Sequence, residues 1–361
     1  MHCSCEDIPC LEVETEEAIY DIELGPIQIE ITGRCNMNCA HCRASEMPKK
    51  DMPLEEILKI VKFARMYSPN YKEITISGGE PTMHNNFREV VRELRKNGAD
   101  YLTITTNGST IDDNLLDFLE SLDFERLMIS VSVDSINPSI HDNFRKFPGA
   151  FKKATDALRL IAERKNEKII PSMKTVILPN TIDEMSSRVA LADRLGCRRV
   201  SFTSVIYSGK AISESDMWMT DQQKKSFLEN IYILKKMYPH INVTTNDPLK
   251  CLIRGMNDEP KDDQEIVMDG CPAGTVSFNV NSDGTMTPCS LLNVPMMNTF
   301  DLTVEEIAKK YCDNELTKKM LDMKLQGKCA DCPKKYLCCG CRARALAATG
   351  DIMGEDPECW I

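Results

Sequence analysis

From about residue 26 to residue 207, six short β-branched runs alternate with longer amphipathic stretches, and this alternation constrains the fold of the 361-residue chain more than any other feature. The runs are 27–32, 73–77, 101–105, 127–133, 170–178 and 199–206, lengths that suit single strands. Between them, near 53–67, 86–97, 112–120, 149–165 and 183–195, apolar residues recur at three- and four-residue spacing, as in Ile57, Ile60, Val61 and Ala64. Strands and helices taken in turn build a parallel sheet with helices outside it. Eight such units do not fit in this length, so the expected fold is α/β, a partial (β/α)6 barrel of the TIM type. Functional residues then belong in the loops after the carboxyl ends of the strands.

Composition divides the rest. A Cys-bearing N-terminal segment (1–25) precedes the barrel core (26–207), a connecting region (208–270) follows, and a small cysteine-rich domain (271–361) closes the chain. Hydrophobic residues at 42% can fill a core of this size. No apolar run approaches the roughly 18 residues of a membrane span, and residues 1–11 are polar and Cys-bearing rather than basic then apolar. A cytoplasmic protein with no membrane role is therefore expected. The net charge of −11 argues against a nucleic-acid partner, which would call for a basic face. Lys49-Lys50, Arg198-Arg199 and Lys334-Lys335 read as solvated surface pairs, and 257–263 as an acidic surface loop.

Seventeen cysteines in a chain expected among cytosolic thiols point to metal or cluster ligation rather than to disulfides. Directly after the first strand, Cys35, Cys39 and Cys42 form CxxxCxxC. Three thiolates on one loop can wrap three corners of a cubic iron-sulfur cluster and leave the fourth iron open to a chelating cofactor. The alternative is a zinc knuckle with His41 as fourth ligand. Ser77-Gly78-Gly79-Glu80-Pro81 follows the second strand, where paired glycines let the backbone approach a ligand closely. Thr105-Thr106-Asn107-Gly108 ends the third strand, and the fourth ends at Ser130-Val131-Ser132-Val133-Asp134-Ser135. Each of the shorter motifs alone is also a plausible tight turn. Their succession at consecutive strand ends singles them out.

Over roughly residues 26–207 these motifs, in this order, resemble the radical S-adenosylmethionine (SAM) superfamily, whose fold is the partial barrel argued above. The resemblance implies that Cys35, Cys39 and Cys42 hold a 4Fe-4S cluster capped by S-adenosyl-L-methionine. It implies that Gly78, Gly79, Glu80 and Pro81 meet the cofactor's amino group, that Asn107 contributes to the same site, and that Ser132 and Asp134 bond its ribose or methionine carboxylate. Such enzymes cleave the cofactor reductively to a 5'-deoxyadenosyl radical that removes a substrate hydrogen atom.

The C-terminal cysteines, Cys271, Cys289, Cys329, Cys332, Cys338, Cys339, Cys341 and Cys359, are too many for one cluster and nearly right for two. They resemble the SPASM extension, which carries two auxiliary 4Fe-4S clusters. Carried over, Cys329, Cys332, Cys338 and Cys359 would ligate one, and Cys271, Cys289 and Cys341 the other. Two departures stand out. The extension commonly reads CxxCx5CxxxC, but here only two residues separate Cys338 from Cys341, so Cys339 could replace either. The cluster held by Cys271 and Cys289 also lacks an obvious fourth ligand: Cys251, Cys312 or an open iron that binds substrate are candidates, although the two cysteines also read as small buried hydrophobes. Two zinc-ribbon sites are the alternative for the region. Cys197 reads as structural, and His2, Cys3, Cys5 and Cys10 are left unassigned.

The expected activity is that of a radical SAM oxidoreductase. The first reading of its substrate is a peptide or protein, modified by crosslinking, thioether formation or dehydrogenation. The 34 residues before Cys35 leave no room for a winged-helix peptide-binding domain, so a separate peptide-recognition protein would serve. The alternative is a small molecule, through oxidative decarboxylation in haem- or porphyrin-type biosynthesis. Cys42-Arg43-Ala44-Ser45, the stretch from Asp134 to Gly149 with His141 and Arg145, and Tyr207-Ser208-Gly209-Lys210 resemble that branch. A non-catalytic iron-sulfur electron carrier is the third reading. A reducing donor such as flavodoxin or ferredoxin is the implied partner, and no residue is assigned as acid or base.

Overall fold

A computed structural model describes residues 10–68, 73–253 and 270–361; His2, Cys3, Cys5 and the acidic stretch 257–263 lie outside the described residues. A short antiparallel hairpin, β1 (Leu11–Glu14) with β2 (Ile19–Ile22), comes first. Then the chain alternates: β3 (Ile27–Thr32), α1 (Leu54–Met66), β4 (Glu73–Gly78), α2 (Phe87–Lys96), β5 (Tyr101–Thr106) and α3 (Asp113–Ser121). It continues through β6 (Arg126–Ser132), α4 (Pro138–Arg145), α5 (Ala150–Glu163), β7 (Ile169–Ile177), α6 (Met185–Arg194) and β8 (Arg199–Ser204). β3 to β8 are the six expected strands, all parallel and in chain order. Their interiors are buried on both faces, as a covered sheet requires: in β6, Leu127, Ile129 and Val131 are buried on one face and Met128, Ser130 and Ser132 on the other.

The helix α4 was not foreseen. Its start is nonetheless marked, because Asn137 Oδ1 accepts from the Ser139 N–H at 2.9 Å and Pro138 occupies the first turn.

The sheet runs past the point where composition changes. After α7 (Asp221–Met237), β9 (Asn242–Thr245) pairs parallel with β8. At the other edge β10 (Phe278–Val280) pairs parallel with β3, and β11 (Thr285–Thr287) and β12 (Met297–Asn298) extend it to ten strands. An open barrel exposes two rows of unpaired backbone groups, and strands from either side of the compositional boundary cover them. The connecting region and the cysteine-rich region are thereby hydrogen-bonded into the barrel sheet. Four helices complete the chain: α8 (Val304–Cys312), α9 (Glu315–Asp322), α10 (Lys335–Cys338) and α11 (Arg342–Thr349). Phe63 of α1 packs against Phe278 and Tyr311, with ring centroids 5.6 and 6.1 Å away, so the apolar core is continuous across that join. Among the described residues no helix is long and apolar enough to cross a membrane.

Candidate active site at the carboxyl end of the barrel

A cavity of about 420 Å3 opens at the carboxyl ends of the barrel strands. Cys35, Cys39 and Cys42 line it together with Gly78, Gly79, Asn107, Ser132 and Asp134. The loop that bears the three cysteines is pinned on several sides. Its Ala40 N–H donates to the Phe144 carbonyl at 2.9 Å, and His41 stacks on the Phe144 ring with centroids 4.5 Å apart. Lys210 N–H donates to the Cys42 carbonyl at 3.2 Å, and the Lys210 ammonium donates to Asn38 Oδ1. Gly209 makes this clamp possible, since a Cβ there would lie 2.5 Å from the Cys42 carbonyl oxygen.

The thiols themselves carry donors suited to thiolates. Cys35 Sγ accepts the Met37 N–H at 3.4 Å, and Arg145 Nη1 lies 3.7 Å from Cys39 Sγ. Burial pushes the Cys35 thiol up to about 11, against that N–H. Such a thiol is deprotonated readily only when a metal takes the proton's place. Among the described residues no three His, Cys, Asp or Glu side chains converge as one metal ion would require, and the thiols instead surround a space. A tetrahedral zinc needs convergence at a point, whereas a four-iron cluster keeps its thiolates apart. His41 stacks on the Phe144 ring, and burial, with Arg145 and Lys174 nearby, lowers its pKa to about 4. The donor set and the cavity fit an open iron-sulfur cluster with a cofactor above it.

Of the cofactor-binding positions, Gly78 and Gly79 line the cavity, whereas Glu80 and Pro81 are buried beneath it. Gly79 N–H donates to the Thr32 carbonyl and Glu80 N–H to the Arg34 carbonyl, both at 2.8 Å, which ties this turn to the end of β3. The Glu80 carboxylate accepts from Asn107 N–H at 2.7 Å, Thr106 Oγ1 at 2.7 Å and Thr82 Oγ1 at 2.6 Å. Its role here is to position the β5 loop. Asn107 is held in turn, its Nδ2 donating to Asn36 Oδ1 at 2.9 Å beside Cys35. Asp134 accepts from Arg145 Nε at 2.6 Å and from Val176 N–H at 2.9 Å. Burial opposes its ionisation, but Arg145 outweighs this and holds the carboxyl at about 2.

Residues 29–187 match the Radical SAM superfamily. The chain is a radical SAM enzyme. It is 29% identical over 345 residues to an AdoMet-dependent heme synthase of Methanosarcina barkeri, covering 91% of this chain and 94% of that one. In fold it is similar to Streptococcus suis SuiB, solved bound to the precursor peptide SuiA, with a TM-score of 0.72 at 14% identity, covering 94% of this chain and 76% of SuiB. It is similar also to anSMEcpe, solved with bound AdoMet and Cp18Cys peptide, with a TM-score of 0.68 at 19% identity and 93% of each chain covered. The cofactors of the radical SAM enzyme are S-adenosylmethionine and 4Fe-4S clusters.

In this radical SAM enzyme the C-terminal region reaches the same cavity through the residues that follow Cys289. Ser290 and Leu291, next to Cys289, line it, and Arg43 Nη1 reaches from the first cysteine loop to the Ser290 carbonyl at 3.1 Å. Cys271 and Cys289 both feel the Cys341 thiol. Cys329, Cys332, Cys338, Cys339 and Cys359 surround a separate space of about 20 Å3. Cys338 Sγ accepts the Gly340 N–H at 3.3 Å and Cys332 Sγ the Lys334 N–H at 3.4 Å, the same kind of bond that Cys35 receives. Cys251 hydrogen-bonds Cys338, and Cys197 is raised to about 12 by burial alone, as a structural thiol would be.

Sequence reasoning missed a buried ionic network that holds this region to the barrel. Lys224 of α7 donates to Ser204 Oγ at 2.5 Å and pairs with Asp247 at 2.7 Å and Glu358 at 2.8 Å. Arg344 of α11 pairs with Asp247 at 2.8 Å and Asp356 at 2.7 Å, and Tyr207 donates to Glu358. Asp356 also accepts the Cys341 N–H at 2.7 Å, so the network fixes a cluster-type cysteine. The participating residues are far apart in sequence and of types common on surfaces, so no local pattern marks them.

Proposed function

We propose that this radical SAM enzyme oxidises a carboxylate-bearing substrate, with oxidative decarboxylation of a porphyrin propionate as its reaction. One observation carries this. In a chain of net charge −11 the described residues lining the cavity include five cations, Arg43, Lys49, Arg145, Lys174 and Lys210, against one carboxylate, Asp134. Arg145 already neutralises Asp134, and Glu30, buried behind the wall, neutralises Arg43. Lys174 and Lys49 have no ion pair among the described residues, which leaves a wall suited to carboxylates. Burial, with Arg43 and Arg145 near, lowers the Lys174 ammonium to about 8, so it remains mostly charged at neutral pH. Similarity to the heme synthase along nearly the whole of both chains supports the same reading.

In this reading Cys35, Cys39 and Cys42 hold the open cluster, and Gly78, Gly79, Asn107, Ser132 and Asp134 shape the cofactor's place. When bound there, cluster and S-adenosylmethionine supply a 5'-deoxyadenosyl radical able to remove a hydrogen atom. The chain orients the propionate through the cationic wall and excludes water with Val176, Val205 and Ile206. Loss of a hydrogen atom and carbon dioxide leaves one electron to remove. Cys289 directly precedes Ser290 and Leu291 of the cavity wall, and an acceptor is needed on that side.

The sequence alone put a peptide first, and the fold likeness to SuiB and anSMEcpe keeps that as the second reading. Anaerobic assays with S-adenosylmethionine, a strong reductant and propionate-bearing porphyrins decide between them. Carbon dioxide and 5'-deoxyadenosine in matched amounts, with a porphyrin product lighter by carbon dioxide and two hydrogens, are expected. Cofactor cleavage left at its substrate-free rate by every porphyrin, but raised by a cysteine-containing peptide, would reverse the order.

A further inference from the structure

Cys339 belongs to neither of the ligand sets carried over by resemblance, yet three observations mark it as a ligand. It sits at φ +56°, a left-handed conformation that costs a residue with a side chain and that glycine adopts freely. Its sulfur accepts the backbone N–H of Cys271, the kind of bond that Cys35, Cys332 and Cys338 receive, whereas Cys197 is perturbed by burial alone. Gly270, next to Cys271, leaves space for that sulfur: a Cβ there would lie 2.5 Å from Cys339 Sγ.

The third observation is a neighbouring cation. Arg342 is 1% exposed, and its Nε and Nη2 are buried with no hydrogen-bond partner among the described residues. Nη1 alone is used, on the Ile352 and Gly354 carbonyls at 3.0 and 2.8 Å. Burial raises the Cys339 thiol to about 11, and the Arg342 charge pulls the other way. Orphaned guanidinium N–H groups beside a thiol call for a negative sulfur-rich group.

We propose that Cys339 supplies the fourth thiolate of the auxiliary cluster whose other ligands are Cys271, Cys289 and Cys341. Cys339 borders the space of Cys329, Cys332, Cys338 and Cys359 as well, but the resemblance already gives that space four thiolates, so the vacancy lies with the other set, to which the Cys271 N–H ties the Cys339 sulfur. Closure by Cys339 makes this cluster an electron-transfer centre with no open iron for substrate, and among the described residues leaves the open iron at Cys35, Cys39 and Cys42. Assembly proceeds by simple exchange: the Cys339 thiol loses its proton as the sulfur bonds to iron, with no change of oxidation state.

The inference rests on reading the C-terminal thiols as two clusters, and one experiment separates the two claims. In a full-length Cys35→Ala/Cys39→Ala/Cys42→Ala background, reconstituted anaerobically, about eight irons per chain are expected from two clusters. Mild oxidation should leave them intact. Adding Cys339→Gly, a change the backbone favours, should create one labile iron, lost on oxidation with a three-iron EPR signal. Fewer than about eight irons in the background would overturn the two-cluster reading and the inference with it. With iron content intact, a labile iron present regardless of Cys339, or absent regardless, would overturn the inference alone. So would an effect of Cys339→Gly that persists after Cys271→Ala/Cys289→Ala, since it would then belong to the other cluster.

Discussion

Strand β6 buries Leu127, Ile129 and Val131 to 1% exposure or less, whereas the stretch from Gly327 to Ile361 buries Arg342, Arg344, Asp356 and Glu358 just as deeply. The barrel has long parallel strands over an apolar core. The C-terminal stretch has helices of four and eight residues and shares a second apolar cluster of only Met320, Leu325, Cys329 and Met353. A barrel of the first kind folds by removing apolar surface from water. Elements as short as the second kind need covalent or ionic staples, and here buried charges and thiols take that place. The difference teaches that the two cysteine groups do unlike work: the first is mounted on a finished scaffold, and the second helps to make one.

The strongest test removes each group in turn. Replacing Cys35, Cys39 and Cys42 by Ala should abolish S-adenosylmethionine cleavage and remove about four irons per chain, while the melting temperature of the barrel changes little. Cleavage retained in that variant would dissociate the cysteine loop from the chemistry. Replacing Cys329 and Cys332 by Ala should also lower iron content and product formation, and should strip hydrogen-exchange protection from residues 327–361 while β3 to β8 stay protected. Equal loss of protection in both regions would break the comparison.

Next in size is the ionic network. Lys224→Met should cost roughly 3–5 kcal/mol, because Asp247 and Glu358 would be left buried with a shared cation removed. Denaturant midpoints measure it. A cost below about 1 kcal/mol, the worth of an exposed pair, would mean that the network opens to water and does not staple the region.

Smaller is the effect of Glu80→Gln. The amide keeps one acceptor but turns a donor toward the Asn107 N–H or the Thr hydroxyls, and one unsatisfied buried donor costs about 1–3 kcal/mol. Because the carboxylate holds the β5 loop and not the cavity surface, affinity for S-adenosylmethionine should weaken through Asn107 displacement. Calorimetric titration of the reconstituted protein reads this. Unchanged affinity with lowered stability would limit Glu80 to the scaffold.

Legibility in the sequence followed the same divide. β3 to β8 were readable because a strand buried on both faces writes its burial as a run of β-branched residues, and the motifs at their ends followed from the fold. Gly78 and Asn107 line the cavity at the strand ends that the alternation pattern picks out. Glu80 lies in the turn after β4 and its side chain faces Thr106, a direction the sequence does not show because tertiary partners set it. β9 and β10 escaped because three- and four-residue strands carry no periodicity, and β10 in addition reaches β3 only by chain return across more than two hundred residues. Lys224, Asp247, Arg344 and Glu358 escaped for the same reason: paired buried charges look like surface until their partners are known.

The finest test sharpens the barrel side of the comparison through pH. His141 is buried, its Nδ1 accepts the Asp134 N–H at 3.0 Å, and burial lowers its pKa from 6.5 to about 4. Between those values the unfolded chain takes up a proton that the folded chain refuses, so stability contributed by the neutral ring is complete above pH 6.5 and is lost as pH falls toward 4. His141→Gln keeps an acceptor for Asp134 but cannot titrate. Its unfolding free energy should therefore fall less steeply than the wild type's across that window, by about one proton in the slope. Parallel slopes for the two proteins would mean that His141 is protonated in the folded barrel, and the Asp134 to Arg145 pair would then have to be read as part of a charged triad.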